Sequence, residues 1–142
     1  MDDSFDVGAF LARPLTARVA TNGPTVRPTW YLWEDNAFWI LTGPWTRLLR
    51  RIRADPAVAL VVDECDLATG IVRQVIARGT GAVLPFDVPR GRRKLVRYLG
   101  ADESGWDDKF RRYLYDDPAD RGTVWLRVPA EFLRATDLSY SV

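Results

Sequence analysis

The stretch between residues 37 and 62 constrains the fold of this chain more than any other. A predicted apolar strand over 37–41 ends at a Gly43-Pro44 turn, and a short helix follows the turn. Pro56 ends that helix, because the residue before a proline is biased out of the α region. A nearly continuous apolar run over 57–62 then predicts a central strand. This order of elements is typical of a small β protein.

The predicted helix has two chemically different sides. Its apolar residues recur at helical spacing, and they are Leu48, Leu49 and Ile52. Its arginines share another side, and they are Arg47, Arg50 and Arg51. Open N–H groups, the helix dipole and guanidinium groups at a helix start attract anions, and Thr46 adds a hydroxyl there. The pattern indicates a phosphate site, but a solvated helix face with Thr46 acting only as N-cap explains the same residues.

Composition predicts one domain over residues 1–142 and excludes several function classes. Residues of hydrophobic type make up 47% of the chain, which is enough for a core. The formal net charge of +1 does not favour nucleic acid or a membrane surface as partner. The chain has one cysteine and no apolar run of membrane-spanning length, so we expect a soluble, cytoplasmic protein.

The absence of histidine is more informative than the charge. It excludes Ser-His and Cys-His nucleophile pairs and histidine-ligated metal or haem. If the chain is an enzyme, we expect a bound cofactor to supply the chemistry and no catalytic side chain to be needed. The acidic residues 63–66 lack the spacing of a calcium loop, so they are interpreted as a solvated loop and no metal site is predicted.

Short alternating segments between turn signals predict a mainly β protein with six or seven strands and two or three short helices. The predicted strands cover 15–20, 25–34, 37–41, 57–62, 71–83, 123–128 and 131–137. The first three form a predicted meander, and the second carries bulky residues on both faces, which indicates a barrel wall that meets a ligand or a second subunit. Pro28 marks an interruption in that strand, and Gly79 and Gly81 mark a bend or a close backbone approach. These elements predict a small closed or split β-barrel.

The helical segments are interpreted mainly as structure. Ser4 or Asp6 can cap a first short helix. A basic patch follows Pro89 and is interpreted as a solvated helix face; it consists of Arg90, Arg92, Arg93, Lys94 and Arg97. Trp106, Phe110 and Leu114 recur every four residues and predict a core or dimer contact.

The order of several motifs resembles a known family. The motifs are Arg18-Val19-Ala20-Thr21, Pro28-Thr29-Trp30-Tyr31, Thr42-Gly43 with Thr46-Arg47, the run from Arg53 to Val62, and Arg78-Gly79-Thr80-Gly81-Ala82. Together they resemble the FMN-binding split barrel of the pyridoxamine 5'-phosphate oxidase-like superfamily. Within it, the chain is similar to the actinobacterial flavin/deazaflavin oxidoreductases of the B type, which use coenzyme F420.

The resemblance implies a homodimer with a cofactor, F420 or alternatively FMN, at the subunit interface. The ring would lie against Pro28, Thr29 and Trp30, and hydride would pass to a small conjugated or hydrophobic acceptor. The expected cofactor-binding residues are Arg27, Pro28, Thr29, Trp30, Thr42, Gly43, Trp45, Thr46, Arg47 and Arg51. We also expect Trp30, Trp33 and Trp45 to form a stacking pocket, and the arginines of both helices to attract a polyglutamate tail.

Two positions depart from the family's pattern. Leu48 stands where relatives commonly carry a lysine, and Arg51 stands where an asparagine is often found. Either Arg47 and Arg51 hold the phosphate instead, or cofactor affinity has decayed. A cofactor carrier or sensor without turnover, and a barrel that serves as a structural or interaction protein, therefore stand as alternatives to an oxidoreductase. The chain lacks the histidine and arginine pattern of a true pyridoxamine-phosphate oxidase, so vitamin B6 chemistry is not predicted.

Overall fold

A computed structural model describes residues 5–142 and gives them two antiparallel sheets with short helices around them. The strands are β1 Ala17–Thr21, β2 Thr25–Thr29, β3 Leu32–Glu34, β4 Ala37–Thr42, β5 Ala57–Asp66, β6 Ile71–Thr80, β7 Ala82–Pro85, β8 Val124–Pro129 and β9 Phe132–Asp137. The helices are α1 Val7–Leu11, α2 Arg47–Ala54, α3 Val88–Leu99, α4 Asp108–Tyr115 and α5 Asp117–Arg121, with a 3-10 turn over Glu103–Gly105.

The two sheets form an open, split barrel. One sheet has the strand order β2-β1-β5-β6-β9, and the other has the order β3-β4-β8-β7. The predicted split-barrel class is confirmed, and within residues 5–142 the strands number nine because two predicted strands are each divided. The same residues form five helices where two or three were predicted, in part because Pro118 lies in the first turn of α5, a position that a helix tolerates. The sheets are not closed into a continuous barrel.

The predicted strand over 25–34 is divided at Trp30 and Tyr31. Its first half is the edge strand β2, and its second half, β3, belongs to the other sheet, so the predicted three-strand meander is wrong. The freed backbone groups at the crossing are held by Tyr98: the Tyr31 N–H donates to the Tyr98 hydroxyl at 3.0 Å, and that hydroxyl donates to the Leu15 carbonyl at 2.7 Å. Arg27 and Pro28 of β2 are exposed within this chain, so the expectation that this strand meets a ligand or a second subunit stays a prediction.

Glycines divide the predicted strand over 71–83 in the same way. The Gly81 N–H donates to the Pro56 carbonyl at 2.8 Å, and a Cβ at Gly81 would lie 2.8 Å from Leu126 Cδ1. A Cβ at Gly79 would lie 2.1 Å from the Pro129 carbonyl oxygen. The expectation of a bend and a close backbone approach at these glycines is confirmed.

The core lies between the two sheets and is built by alternation. Val58, Leu60 and Val62 of β5 point inward and are buried, while the residues between them are more exposed. Leu48 and Ile52 of α2 belong to the same core. The interpretation of residues 63–66 as a loop is wrong, because they extend β5 and pair with β6, which satisfies their backbone groups.

Helices α3 and α4 form a second layer outside the four-stranded sheet. Trp106, Leu114 and Leu95 form a buried cluster there, so the predicted core stripe is confirmed, although α4 begins after Trp106. Asp6 caps α1, as predicted, and the alternative cap Ser4 lies outside the described residues. Across residues 5–142, no helix has the length and apolar character that a membrane span requires.

Candidate functional site

The turn between β4 and α2 is held by backbone and hydroxyl contacts. The Thr46 N–H donates to the Gly43 carbonyl at 3.0 Å, and the Thr46 and Thr42 hydroxyls lie 2.6 Å apart. The indole of Trp45 folds back over Gly43, where a Cβ would lie 2.0 Å from the ring. Only glycine allows the ring to come this close, so the observed position of Trp45 requires a glycine at residue 43.

The start of α2 keeps its first N–H groups free of a side-chain cap. Thr46 occupies the N-cap position with extended backbone, but its hydroxyl contacts the Gly43 carbonyl, at 3.2 Å, and makes no capping hydrogen bond. Arg47 is the first residue of the helix. Open N–H groups and an adjacent guanidinium are the arrangement that binds an anion.

The two sides of α2 divide as the sequence predicts. Leu48, Leu49 and Ile52 are buried. Arg47 and Arg50 are exposed, and within residues 5–142 neither has a carboxylate within salt-bridge distance. The helix therefore presents positive charge that the residues from 5 to 142 do not neutralise.

A basic cavity of about 340 Å³ lies between α2 and the edge strand β2. Its residues are Val19, Thr21, Thr25, Val26, Arg27, Arg47, Leu48 and Arg51. Arg27 pairs with the buried Val19 across the ladder, so both residues are on the barrel side of the sheet. The hydroxyls of Thr21 and Thr25 lie 2.7 Å apart, which leaves hydroxyl lone pairs to complement the three arginines.

A second cavity, of about 310 Å³, adjoins the first and shares Arg27 with it. Its residues are Arg27, Leu41, Trp45, Thr46, Tyr113, Asp117, Arg121 and Thr123. No local pattern in the sequence indicates that α4 and α5 contribute to this cavity. Arg121 lies over the Trp45 ring at 5.0 Å from its centre, and this tertiary contact brings α5 to the site.

The predicted tryptophan pocket is wrong. Trp30 stacks on Tyr98, with ring centres 4.3 Å apart, and packs beside Phe110, so it belongs to the helical layer. Trp33 packs on Phe38 in the core. Of the three tryptophans, Trp45 is the one that lines the second cavity.

The predicted site residues therefore divide into three groups. Arg27, Trp45, Thr46, Arg47 and Arg51 line the two adjoining cavities. Thr42 and Gly43 hold the turn beneath them. The remaining residues, Pro28, Thr29 and Trp30, line neither cavity; Pro28 is on the opposite face of β2 from Arg27.

The arginines of the basic patch on α3 bind partners within the chain. Arg90 and Arg93 pair with Glu34, at 2.6 and 2.8 Å, and these arginines hold the pKa of Glu34 below its usual range. Arg92 pairs with Glu103 at 2.8 Å, and Arg97 donates to the Trp33 carbonyl. The patch attaches α3 to its neighbours, so the interpretation as a simply solvated face is wrong, and most of its charge is already neutralised.

The comparison with known families identifies the family of this chain. The model of the pyridoxamine 5'-phosphate oxidase family matches residues 6–136. The chain belongs to the pyridoxamine 5'-phosphate oxidase family. The resemblance seen in its motifs is thereby confirmed. A search of curated proteins finds no match for this member of the family.

Solved structures show the same fold. A conserved hypothetical protein from Mycobacterium tuberculosis matches with a TM-score of 0.72 and 21% identity, over 96% of this chain and 88% of that one. A protein described as F420 reductase matches with a TM-score of 0.63 and 24% identity, over 89% and 94% of the two chains. An FAD-binding protein from Mesorhizobium loti matches with a TM-score of 0.63 and 21% identity, over 93% and 92%.

Proposed function

We propose that this family member is an oxidoreductase that binds a flavin-type cofactor, F420 or FMN, beside the start of α2. Its acceptor is a small conjugated or hydrophobic molecule. The observation that carries the proposal is the convergence of Arg27, Arg47 and Arg51 on one cavity next to open helix N–H groups. Family membership and the fold shared with an F420 reductase and an FAD-binding protein add to it.

The donor set fits the phosphate of such a cofactor. Arg47 and the first N–H groups of α2 bind phosphate oxygens, and Thr46 adds a hydroxyl. Thr42 orients Thr46 through their hydroxyl contact. Arg27 and Arg51 hold the same anion from β2 and from the second turn of α2.

A bound reduced flavin-type cofactor supplies a hydride, and solvent supplies the proton that completes reduction of the acceptor. The chain's own residues bind and orient the reactants. This division of labour needs no nucleophile and no histidine base, which agrees with the composition of the chain.

Leu48 does not remove the positive charge from this site. The leucine side chain is buried in the core beside the basic cavity, where a lysine would bring an additional charge. Arg27 supplies charge from β2, and Arg47 and Arg51 supply it from α2. Guanidinium groups bind phosphate in a bidentate manner and are permanently protonated, so they replace a lysine.

One observation favours F420 over FMN. A further cavity of about 400 Å³ continues along α2 and is lined by Arg47, Arg50, Arg51 and Ala54. An anionic tail attached to the phosphate would follow this surface. The arginines of α3 are no longer expected to bind the polyglutamate tail, because Arg90, Arg92 and Arg93 pair with Glu34 and Glu103.

The outer face of the five-stranded sheet supports a homodimer. One row across this face consists of Val26, Ala20, Ala59, Arg78 and Phe132, and Ile76 lies in the next row, between Val61 and Arg134. The guanidinium of Arg78 lies over the Phe132 ring. Val26 is 68% exposed although it is apolar. A face with several small and apolar side chains beside an unpaired edge strand is suited to a second copy.

Paired variants of α2 test the phosphate assignment. Arg47→Ala is expected to weaken binding of F420, or of FMN, about tenfold or more, because a charge-assisted contact is lost. Arg53→Ala is the matched control, since Arg53 is on the same helix and lines none of the cavities described above. The measurement is tryptophan fluorescence quenching on titration with each cofactor. Equal affinity of the two variants would reject the assignment of Arg47.

Turnover is tested separately from binding. Reduced cofactor bound to the protein is expected to be oxidised by a conjugated acceptor under anaerobic conditions, which absorbance of the cofactor reports. Tight binding with no acceptor reduction would identify a carrier or sensor. Binding of neither cofactor would favour a barrel that serves as a structural or interaction protein.

A further inference from the structure

The cavity between Trp45 and the α4–α5 segment presents two aromatic rings to solvent. Trp45 is 44% exposed and Tyr113 is 39% exposed, although both are large hydrophobic side chains. Both line the cavity of about 310 Å³, together with the aliphatic Leu41. Exposed rings that border one cavity are platforms for a planar ligand.

The charges around this cavity favour an anion. Arg27 and Arg121 contribute two positive charges, and Asp117 contributes one negative charge. Asp117 lies 4.0 Å from Arg121, which is the outer limit of an ion pair, and the Arg121 side chain is partly exposed. A pair of this kind is weak, so most of the guanidinium donors of Arg121 remain available to a ligand.

Trp45 fixes the position of these donors. The guanidinium of Arg121 lies over the indole at 5.0 Å from the ring centre, and the indole itself rests on Gly43. A carboxylate bound by Arg121 would thus be next to an aromatic face. This combination recognises a ring that carries an acidic group and discriminates against a neutral ring of the same shape.

We propose that this cavity binds a planar aromatic carboxylate, with the ring beside the exposed edges of Trp45 and Tyr113 and the carboxylate on Arg121, while Arg27 adds positive charge. The identification of this ligand as the acceptor rests on the proposed oxidoreductase function, because the cavity shares Arg27 and Thr46 with the cofactor-binding residues. The binding site itself does not depend on that function. If the ligand is the acceptor, this proposal narrows the acceptor class from conjugated molecules in general to anionic conjugated molecules.

Two matched probes test the charge requirement. Calorimetric titration of the purified protein with 2-naphthoate and with 2-naphthamide compares the same ring system with and without a negative charge. We expect naphthoate to bind about tenfold more tightly, and we expect Arg121→Gln to remove that difference. Arg121→Lys keeps a positive charge and is expected to retain part of it. Equal affinity of the two probes for the unmodified protein would overturn the proposal.

Arg112→Gln is the control variant. Arg112 is an exposed residue of α4 that does not line the cavity, so its loss changes the net charge equally and is expected to preserve the preference for naphthoate. An equal loss in both variants would show general charge attraction and would contradict a specific site. Thermal melts of each variant exclude unfolding as the cause.

Cofactor titrations keep this test separate from the proposed function. Arg121→Gln is expected to bind F420 or FMN as the unmodified protein does. If it loses the cofactor together with naphthoate, the cavity belongs to the cofactor and its assignment to the acceptor is wrong. If neither cofactor binds but the preference for naphthoate persists and depends on Arg121, the oxidoreductase proposal fails while the anion site stands.

Discussion

At the scale of single residues, Lys94 is the charged group whose environment differs most from water. It is a buried residue of α3. Burial lowers the pKa of its ammonium group from 10.5 to about 8. At neutral pH the folded chain therefore binds the Lys94 proton more weakly than the unfolded chain does.

This pKa predicts how stability changes with pH. Between pH 8 and about 10 the unfolded chain binds the Lys94 proton and the folded chain does not, so the free energy of unfolding rises with pH. Burial raises the pKa of Tyr98 to about 12 and also raises that of Tyr31. These tyrosines ionise first in the unfolded chain, so stability falls again above pH 10.

Lys94→Met tests this account, because methionine keeps the length of the side chain without its charge. We expect it to raise the free energy of unfolding at pH 7 by about 3 kcal/mol, from the pKa difference, and to remove the rise between pH 8 and 10. Urea unfolding across pH 7–11 measures both effects. A rise that persists in the variant would mean that another group causes it.

The site residues show which features of the site can be predicted from the sequence and which cannot. Gly43, Thr46 and Arg47 were predicted as one anion-binding turn, because turn chemistry and helix starts are local in sequence. Trp45 was predicted in a pocket with Trp30 and Trp33, and that prediction was wrong, because the partner of each ring is set by tertiary packing. Nothing near Arg121 in the sequence indicates that it lies over Trp45.

At the scale of elements, a single side chain holds the crossing from β2 to β3. The Tyr98 hydroxyl accepts from the Tyr31 N–H and donates to the Leu15 carbonyl, and Tyr98 is 67 residues away from Tyr31 in the chain. The alternation over residues 25–34 is continuous through the crossing, so it predicted one strand. The division of the predicted strand over 71–83 into β6 and β7 was easier to anticipate, because Gly81 marks it in the sequence.

Tyr98→Phe is expected to destabilise the protein by about 2 kcal/mol, because two partly buried backbone groups lose their partner. Tyr115→Phe is the matched control: its hydroxyl contacts Arg92 and Glu103 at the exposed surface, and we expect a change below about 1 kcal/mol. Chemical denaturation compares the two. Equal effects would contradict a special role for Tyr98 at the crossing.

At the scale of the whole molecule, the family and the split barrel could be predicted from motif order, and the assignment of each strand to its sheet could not. The order of the motifs can be read directly from the sequence. The sheet to which a strand belongs depends instead on tertiary contacts with residues far away in the chain. The exposed apolar row at Val26 is likewise visible only once β2 is known to be an edge strand. That row supports our proposal of a homodimer.

Val26→Glu is expected to convert the dimer to a monomer, because it places a charge on the apolar face of each subunit. Leu67→Glu is the control, since Leu67 is an even more exposed apolar residue, at 73%, in the β5–β6 turn and away from that face. Sedimentation analysis of both variants and of the unmodified protein measures the assembly state. An unmodified protein that is monomeric at every concentration would reject the dimer.

The central claim is that the start of α2 and its arginines bind the phosphate of a flavin-type cofactor. Calorimetric titration of the unmodified protein with F420 and, in parallel, with FMN tests it most directly, at low and at moderate salt. The account predicts saturable binding of one cofactor per chain with micromolar or better affinity, which weakens as salt screens the arginines. Binding of neither cofactor at low salt would contradict it.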